Sequence, residues 1–104
     1  METYKFEVIA KNIIIDYFNN KVEVTDNVKI GIKNVYVVWM CKTLKNTKAL
    51  LSTTVPDGQY YEVTYNGETD EIYLDVYKKW ENKLIKNTEF NDTVEITEKE
   101  KEVQ

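Results

Sequence analysis

With 104 residues, 42% hydrophobic and 31% charged, and a net charge of −4, the chain has the make-up of one soluble globular domain with a modest core. It has no histidine and its basic residues are all lysines, which excludes Ser-His-Asp and Cys-His catalysis and His-ligated zinc. Lysine lacks the planar fork that reads guanine, no apolar run approaches the ~18–20 residues of a membrane span, and the common glycine-rich phosphate loops are missing.

Sequence-specific DNA binding and membrane insertion are therefore not expected, and neither is a cofactor, a metal site or a catalytic residue. The N-terminus interleaves acids and lysines with apolar residues, unlike a secretory leader. The single cysteine, Cys41, forms no internal disulfide, which fits a reducing compartment. Both features predict a cytoplasmic location.

In chain order, Phe6, Ile9, Ala10, Ile13 and Tyr17, with Ile14 beside them, recur at helical spacing and predict an amphipathic helix from about Thr3 to Asn19. Val8 and Ile15 fall roughly opposite that stripe. The stretch "NNKVEVTDN" reads as a connection that could include a short strand. Val28, Ile30 and Ile32 then alternate with Lys29, Gly31 and Lys33. From Val35 to Cys41 both sides are apolar, which predicts a central strand covered on both faces. By alternation, Val35, Val37, Trp39 and Cys41 share one face, and Tyr36, Val38 and Met40 the other.

"LKNTK" has the polarity of a hairpin connection, and "ALLSTTV" reads as the returning strand. "PDG" is a turn, since proline presets φ and glycine permits positive φ. "QYYEVTY" alternates, placing Tyr61, Val63 and Tyr65 opposite Tyr60, Glu62 and Thr64. Asn66-Gly67 is the strongest hairpin signal, because both central positions of a type I′ turn need positive φ. "DEIYLD" supplies a last strand with Ile72 and Leu74 inward. Val76, Tyr77, Trp80 and Leu84 then change to helical spacing behind an Asp75 cap and predict a closing helix to Lys86. The expected fold is α+β: an antiparallel meander of three to five strands flanked by an N-terminal and a C-terminal helix.

Charge is uneven along this plan. Residues 1–86 hold twelve lysines and twelve acids, whereas residues 87–104 hold six acids against Lys99 and Lys101. The expected organisation is one α+β domain over residues 1–86 and an acidic, flexible tail over 87–104. The alternative for that tail is an acidic arm for a basic partner.

The segments "CKTL", "KALLSTT", "YYEVTYNG", "EIYLD" and "YKK", spread over some 45 central residues, resemble a family of short, uncharacterised phage and prophage proteins of low-GC Gram-positive bacteria. The resemblance implies a viral source and the cytosol of an infected host cell. It implies no reaction and brings no catalytic residue with it.

Three groups of residues are candidates for function. Between Asp26 and Asp57 there are five lysines and no acid. If "LKNTK" is a hairpin tip, Lys42, Lys45 and Lys48 converge at one end of the sheet and could attract phosphate or an acidic surface. Hydroxyls of Ser52, Thr53 or Thr54 would complete such an anion site; the bland reading is a solvated loop with edge lysines. The second group is the sheet face away from the helices, with Tyr60, Glu62, Thr64 and Tyr73, joined by Tyr36, Val38 and Met40. That density of tyrosine and methionine is typical of interfaces, and self-association is its simplest use. Cross-strand tyrosine pairs on an ordinary amphipathic face are the alternative.

Cys41 continues an apolar strand face and is expected to be a buried structural residue rather than a nucleophile. Glu62, Asp70, Glu71 and Asp75 match no metal-loop spacing and read as charges collected at a hairpin end. The leading expectation is a phage-encoded, non-enzymatic protein that binds a host protein, for example one of a defence system, with a homodimer as a possible form. The second is a homo-oligomeric binder of a small anionic ligand, such as a nucleotide signal.

Overall fold

The computed structural model describes residues 1–21 and 28–89. A helix, α1, spans Thr3–Lys21, and four strands follow: β1 (Val35–Thr43), β2 (Asn46–Thr53), β3 (Gln59–Asn66) and β4 (Glu71–Lys78). Single 3-10 turns lie at Ile32–Asn34 and Asn87–Glu89. The possible strand in "NNKVEVTDN" and most of the acidic tail fall on residues 22–27 and 90–104, outside the described residues.

The helix forms where the periodicity places it, with its buried line at Phe6, Ala10, Ile14 and Phe18. A strict four-residue step keeps these on one face, and Ile13, Ile15 and Tyr17 border it. At the C-terminal end, the Asn19 amide donates to the Ile30 carbonyl (3.0 Å) while its oxygen accepts from the Ile30 N–H (2.9 Å). This two-point clamp seats Ile30 in the core. Val28 and Ile32 remain 47% and 49% exposed, so the alternation at residues 28–33 yields one core contact and no strand.

The strands form a meander in the order β1-β2-β3-β4, antiparallel throughout. One face packs on α1 through Val35, Ala49, Leu51, Tyr61, Val63 and Tyr65. Tyr17 meets Tyr61 edge-on at 6.1 Å between ring centres. Asn34 joins the start of β1 to the end of β2: its N–H donates to the Gly31 carbonyl (2.9 Å), its own carbonyl accepts from the Thr54 N–H (2.9 Å), and its side-chain amide donates to Thr54 Oγ1 (3.1 Å).

The turns are tighter or wider than their sequences suggest. β1 and β2 are joined by Leu44 and Lys45 alone, with Leu44 at φ 54° and 91% exposed. The β3–β4 connection uses four residues instead of a two-residue type I′ turn, because Asn66 pairs with Glu71. The Asn66 side-chain oxygen accepts from the Glu68 and Thr69 amides at 3.0 and 3.4 Å, and positive φ falls on Asp70. Gly67 is needed for close approach: a Cβ there would overlap the Lys45 carbonyl of the neighbouring turn. In the "PDG" turn, Gly58 does take positive φ, at 71°.

Two expectations about layers are corrected. The expected helix from Val76 to Lys86 does not form; residues 79–86 have no regular structure. Ile72, Leu74 and Val76 pair with Tyr65, Val63 and Tyr61, so strand alternation runs on to Lys78 and claims the start of the supposed helix. Trp80 and Leu84 are 95% and 82% exposed, and a helix with no buried stripe has little to sustain it. β1 is an edge strand rather than a central one. Among the described residues the sheet therefore has one covered face and one open face.

Candidate functional site

The open face is defined by the strand registers, read as rungs across the sheet. One rung is Tyr36–Ser52–Tyr60–Tyr77, the next Trp39–Leu50–Glu62–Asp75, and the third Cys41–Lys48–Thr64–Tyr73. Between Val37 and Trp39 the register shifts by one residue, which leaves Val38 unpaired opposite β2. This β-bulge reverses the alternation for the rest of β1. Trp39 and Cys41 move to the open face, and Met40 moves to the helix side, where it packs partly buried against the core.

The face is apolar along both edge strands and charged in the middle. Tyr36, Val38, Trp39, Tyr73 and Tyr77 are each 43–52% exposed. The Lys48 ammonium lies 3.5 Å from Glu62, and the Tyr77 hydroxyl donates to the same carboxylate at 3.4 Å. The Tyr73 hydroxyl donates to Glu71 (3.1 Å), and the Lys79 ammonium sits 5.5 Å from the centre of the Tyr60 ring. A shallow concavity of about 520 Å³ lies among Trp39, Cys41, Lys48, Thr64, Asn66 and Tyr73.

These contacts hold the phenols in their neutral, donating form. The charge of Glu62, more than desolvation, raises the Tyr77 pKa, and the hydrogen bond to Glu71 raises that of Tyr73. On the covered side, burial together with Asp57 and Tyr17 pushes Tyr61 up to about 12. None of these three phenols is tuned towards proton abstraction near neutral pH.

The residues singled out from sequence separate into two groups. Tyr36, Tyr60 and Tyr73 share the open face, joined by Trp39, Cys41, Leu50 and Tyr77. Met40 does not belong to it. The three lysines do not converge: the Lys42 ammonium reaches the Met1 carbonyl (3.0 Å) on the helix side, Lys45 lies in the turn, and Lys48 is on the open face beside Glu62. Lys42 and Lys48 occupy adjacent rungs, and adjacent rungs point to opposite faces.

The hydroxyls proposed to help them are engaged at the far end of the hairpin. Ser52 donates to the Gln59 carbonyl (2.8 Å), Thr53 Oγ1 accepts from the Val55 amide (3.2 Å), and Thr54 Oγ1 accepts from Asn34. Cys41 is exposed, contrary to the expectation of burial, with its sulfur 3.7 Å from Thr43 Oγ1. The bulge is the cause, and four successive apolar residues, Val37 to Met40, give no periodic signal of it. Tyr77 was readable from the alternation that starts at Ile72.

Among the described residues no cluster of acids or cysteine gathers as a metal-binding group, and no helix is long and apolar enough to cross a membrane. A model of a family of unknown function (DUF6275) matches residues 7–87. Neither a curated protein nor a solved structure matches the chain.

Proposed function

The chain belongs to this family, and from its own geometry we propose that it is a small non-enzymatic protein that acts by binding another protein through the open face of its sheet. One observation carries the reading. Tyr36, Val38 and Trp39 on β1 and Tyr73 and Tyr77 on β4 are half-exposed, the partly buried Leu50 and Tyr60 lie between them, and nothing covers them among the described residues. Contiguous exposed apolar surface rimmed by polar groups marks interaction sites, and tyrosine and tryptophan are the residues that anchor them. The neutral phenols and the dispersed lysines add support, since neither supplies a base or an anion pocket.

The resemblance to phage proteins suggests the setting, a host protein of the infected cell, and interference with a defence protein is the proposed role. The test is capture from lysate of a low-GC Gram-positive bacterium by three tagged forms. These are the unaltered chain, the pair Trp39→Glu with Tyr73→Glu, and Lys5→Glu on the exposed side of α1. A stoichiometric protein held by the first and third but lost from the second supports the reading. Equal capture by all three sinks it.

A further inference from the structure

We infer that the open sheet face and the segment Lys79–Ile85 are two halves of one interface, joined reciprocally between two copies of the chain. The inference rests on the reading of the open face as an association surface and names its first occupant. After Lys78 the chain leaves the sheet carrying Trp80, Leu84 and Ile85 at 95%, 82% and 55% exposure. The segment belongs to the family's domain, because the matched region continues to residue 87. Among its described residues one chain thus holds an uncovered apolar face and a projecting apolar strip that does not cover it.

Charge and direction favour their pairing. Beyond Lys79, which lies over its own chain's Tyr60, the strip and the residue after it carry Lys83 and Lys86 against Glu81, while the face carries Glu62, Glu71 and Asp75 against Lys48. A basic strip meets an acidic face. The strip's exit is anchored at the open-face corner: the Lys79 N–H bonds to the Gly58 carbonyl (2.6 Å), and the Lys79 ammonium lies over Tyr60.

Size is consistent as well. Seven extended residues reach at most about 25 Å, close to the ~26 Å length of an eight-residue strand. Four strands ~4.8 Å apart give a flat footprint of roughly 500 Å², and side-chain relief brings it towards the ~800 Å² per partner of a standard interface. A two-fold axis lets each strip cross the other copy's face, so both halves are used twice.

The test is sedimentation of the full-length chain across the micromolar range. A dimer is expected. Trp80→Ala removes one anchor from each copy, each worth about thirtyfold, and raises the dissociation constant about a thousandfold. The face variant, Trp39→Glu with Tyr73→Glu, is expected to be monomeric too. Because all these side chains are exposed, circular dichroism of each variant should remain that of the unaltered chain. Mixing the two variants leaves one intact strip and one intact face, so a heterodimer forms where neither variant self-associates.

A chain that is monomeric at all concentrations overturns the inference, including the case in which its own residues 90–104 occupy the face. The open-face reading then still stands if capture of a host protein is lost in the face variant. A dimer that survives the face variant overturns the inference alone, since the open-face reading falls only if that variant still captures the host protein. Failure of the mixture to complement overturns the reciprocal arrangement.

Discussion

Trp39 stands opposite Leu50, one residue out of step with the Val37–Leu51 pair just before it. Unbroken alternation would place Trp39 opposite Ala49, a residue with no exposure on the helix side. The extra residue, Val38, turns Trp39 and Cys41 outward and Met40 inward. A single bulge thus decides which aromatic group the open face presents.

Deleting Val38 should remove the bulge and keep that choice. Val37 stays opposite Leu51 and Trp39 opposite Leu50, now in simple alternation, so Trp39 and Cys41 still face outward. Thiol labelling without denaturant checks it: Cys41 reacts as readily in the deletion as in the dilute unaltered chain. Protection of Cys41 in the deletion would place the bulge elsewhere.

The contact between the two turns at one end of the sheet makes Gly67 sensitive. Gly67→Ala places a Cβ against the Lys45 carbonyl, so both turns must shift. A loss of about 1–3 kcal/mol is expected, measured by urea denaturation. A neutral result would mean the turns do not touch in solution.

Leu44 offers the opposite sign. Its positive φ of 54° disfavours a leucine, and at 91% exposure its side chain contributes no packing. Leu44→Asn keeps the turn and relieves a strain of about 1 kcal/mol, because asparagine tolerates left-handed backbone. Thermal denaturation should show a rise of several degrees.

Tyr61 ties stability to alkaline pH. It is buried against Tyr17 with its hydroxyl donating to Gln59 Oε1 (2.9 Å), and its pKa in the folded chain is pushed from 10.0 up to about 12. The folded state therefore holds a proton that the unfolded chain releases first. Its contribution to stability is complete below pH 10 and is lost as pH rises through about 12. Denaturation midpoints measured from pH 9 to 12 should fall more steeply for the unaltered chain than for Tyr61→Phe. Parallel curves would remove Tyr61 as the cause.

Much of this fold was legible in the sequence. The helical spacing through Phe6, Ala10 and Ile14 and the alternation in β3 point the right sides to the core, and "PDG" and Asn66-Gly67 mark real reversals, while Phe18, which completes the buried line, lies outside the expected stripe. The errors share a physical origin: residues whose pattern fits two structures are settled by what lies beside them. Val76 fits a helix start and a strand end, and pairing with Tyr61 decides for the strand. Val28 and Ile32 alternate like a strand but have no partner strand among the described residues. Tyr36, Tyr60 and Tyr73 could be placed together because their strands alternate cleanly, whereas Met40, Trp39 and Cys41 lie beyond a bulge that their own types conceal. The lysine cluster failed for a simpler reason, since proximity in a hairpin does not put Lys42 and Lys48 on one face.

The most direct measurement is the alkylation rate of Cys41 in the native chain, compared between dilute samples and samples shown by sedimentation or capture to be assembled. Cys41 lies in the open-face concavity with Trp39 and Tyr73, so its thiol reports on whether that face is covered. Labelling should be fast when the chain is alone and at least about tenfold slower once it is associated, the mark of a desolvated interface. An assembled chain whose Cys41 labels as fast as the isolated one would contradict the assignment of the open face as the binding surface.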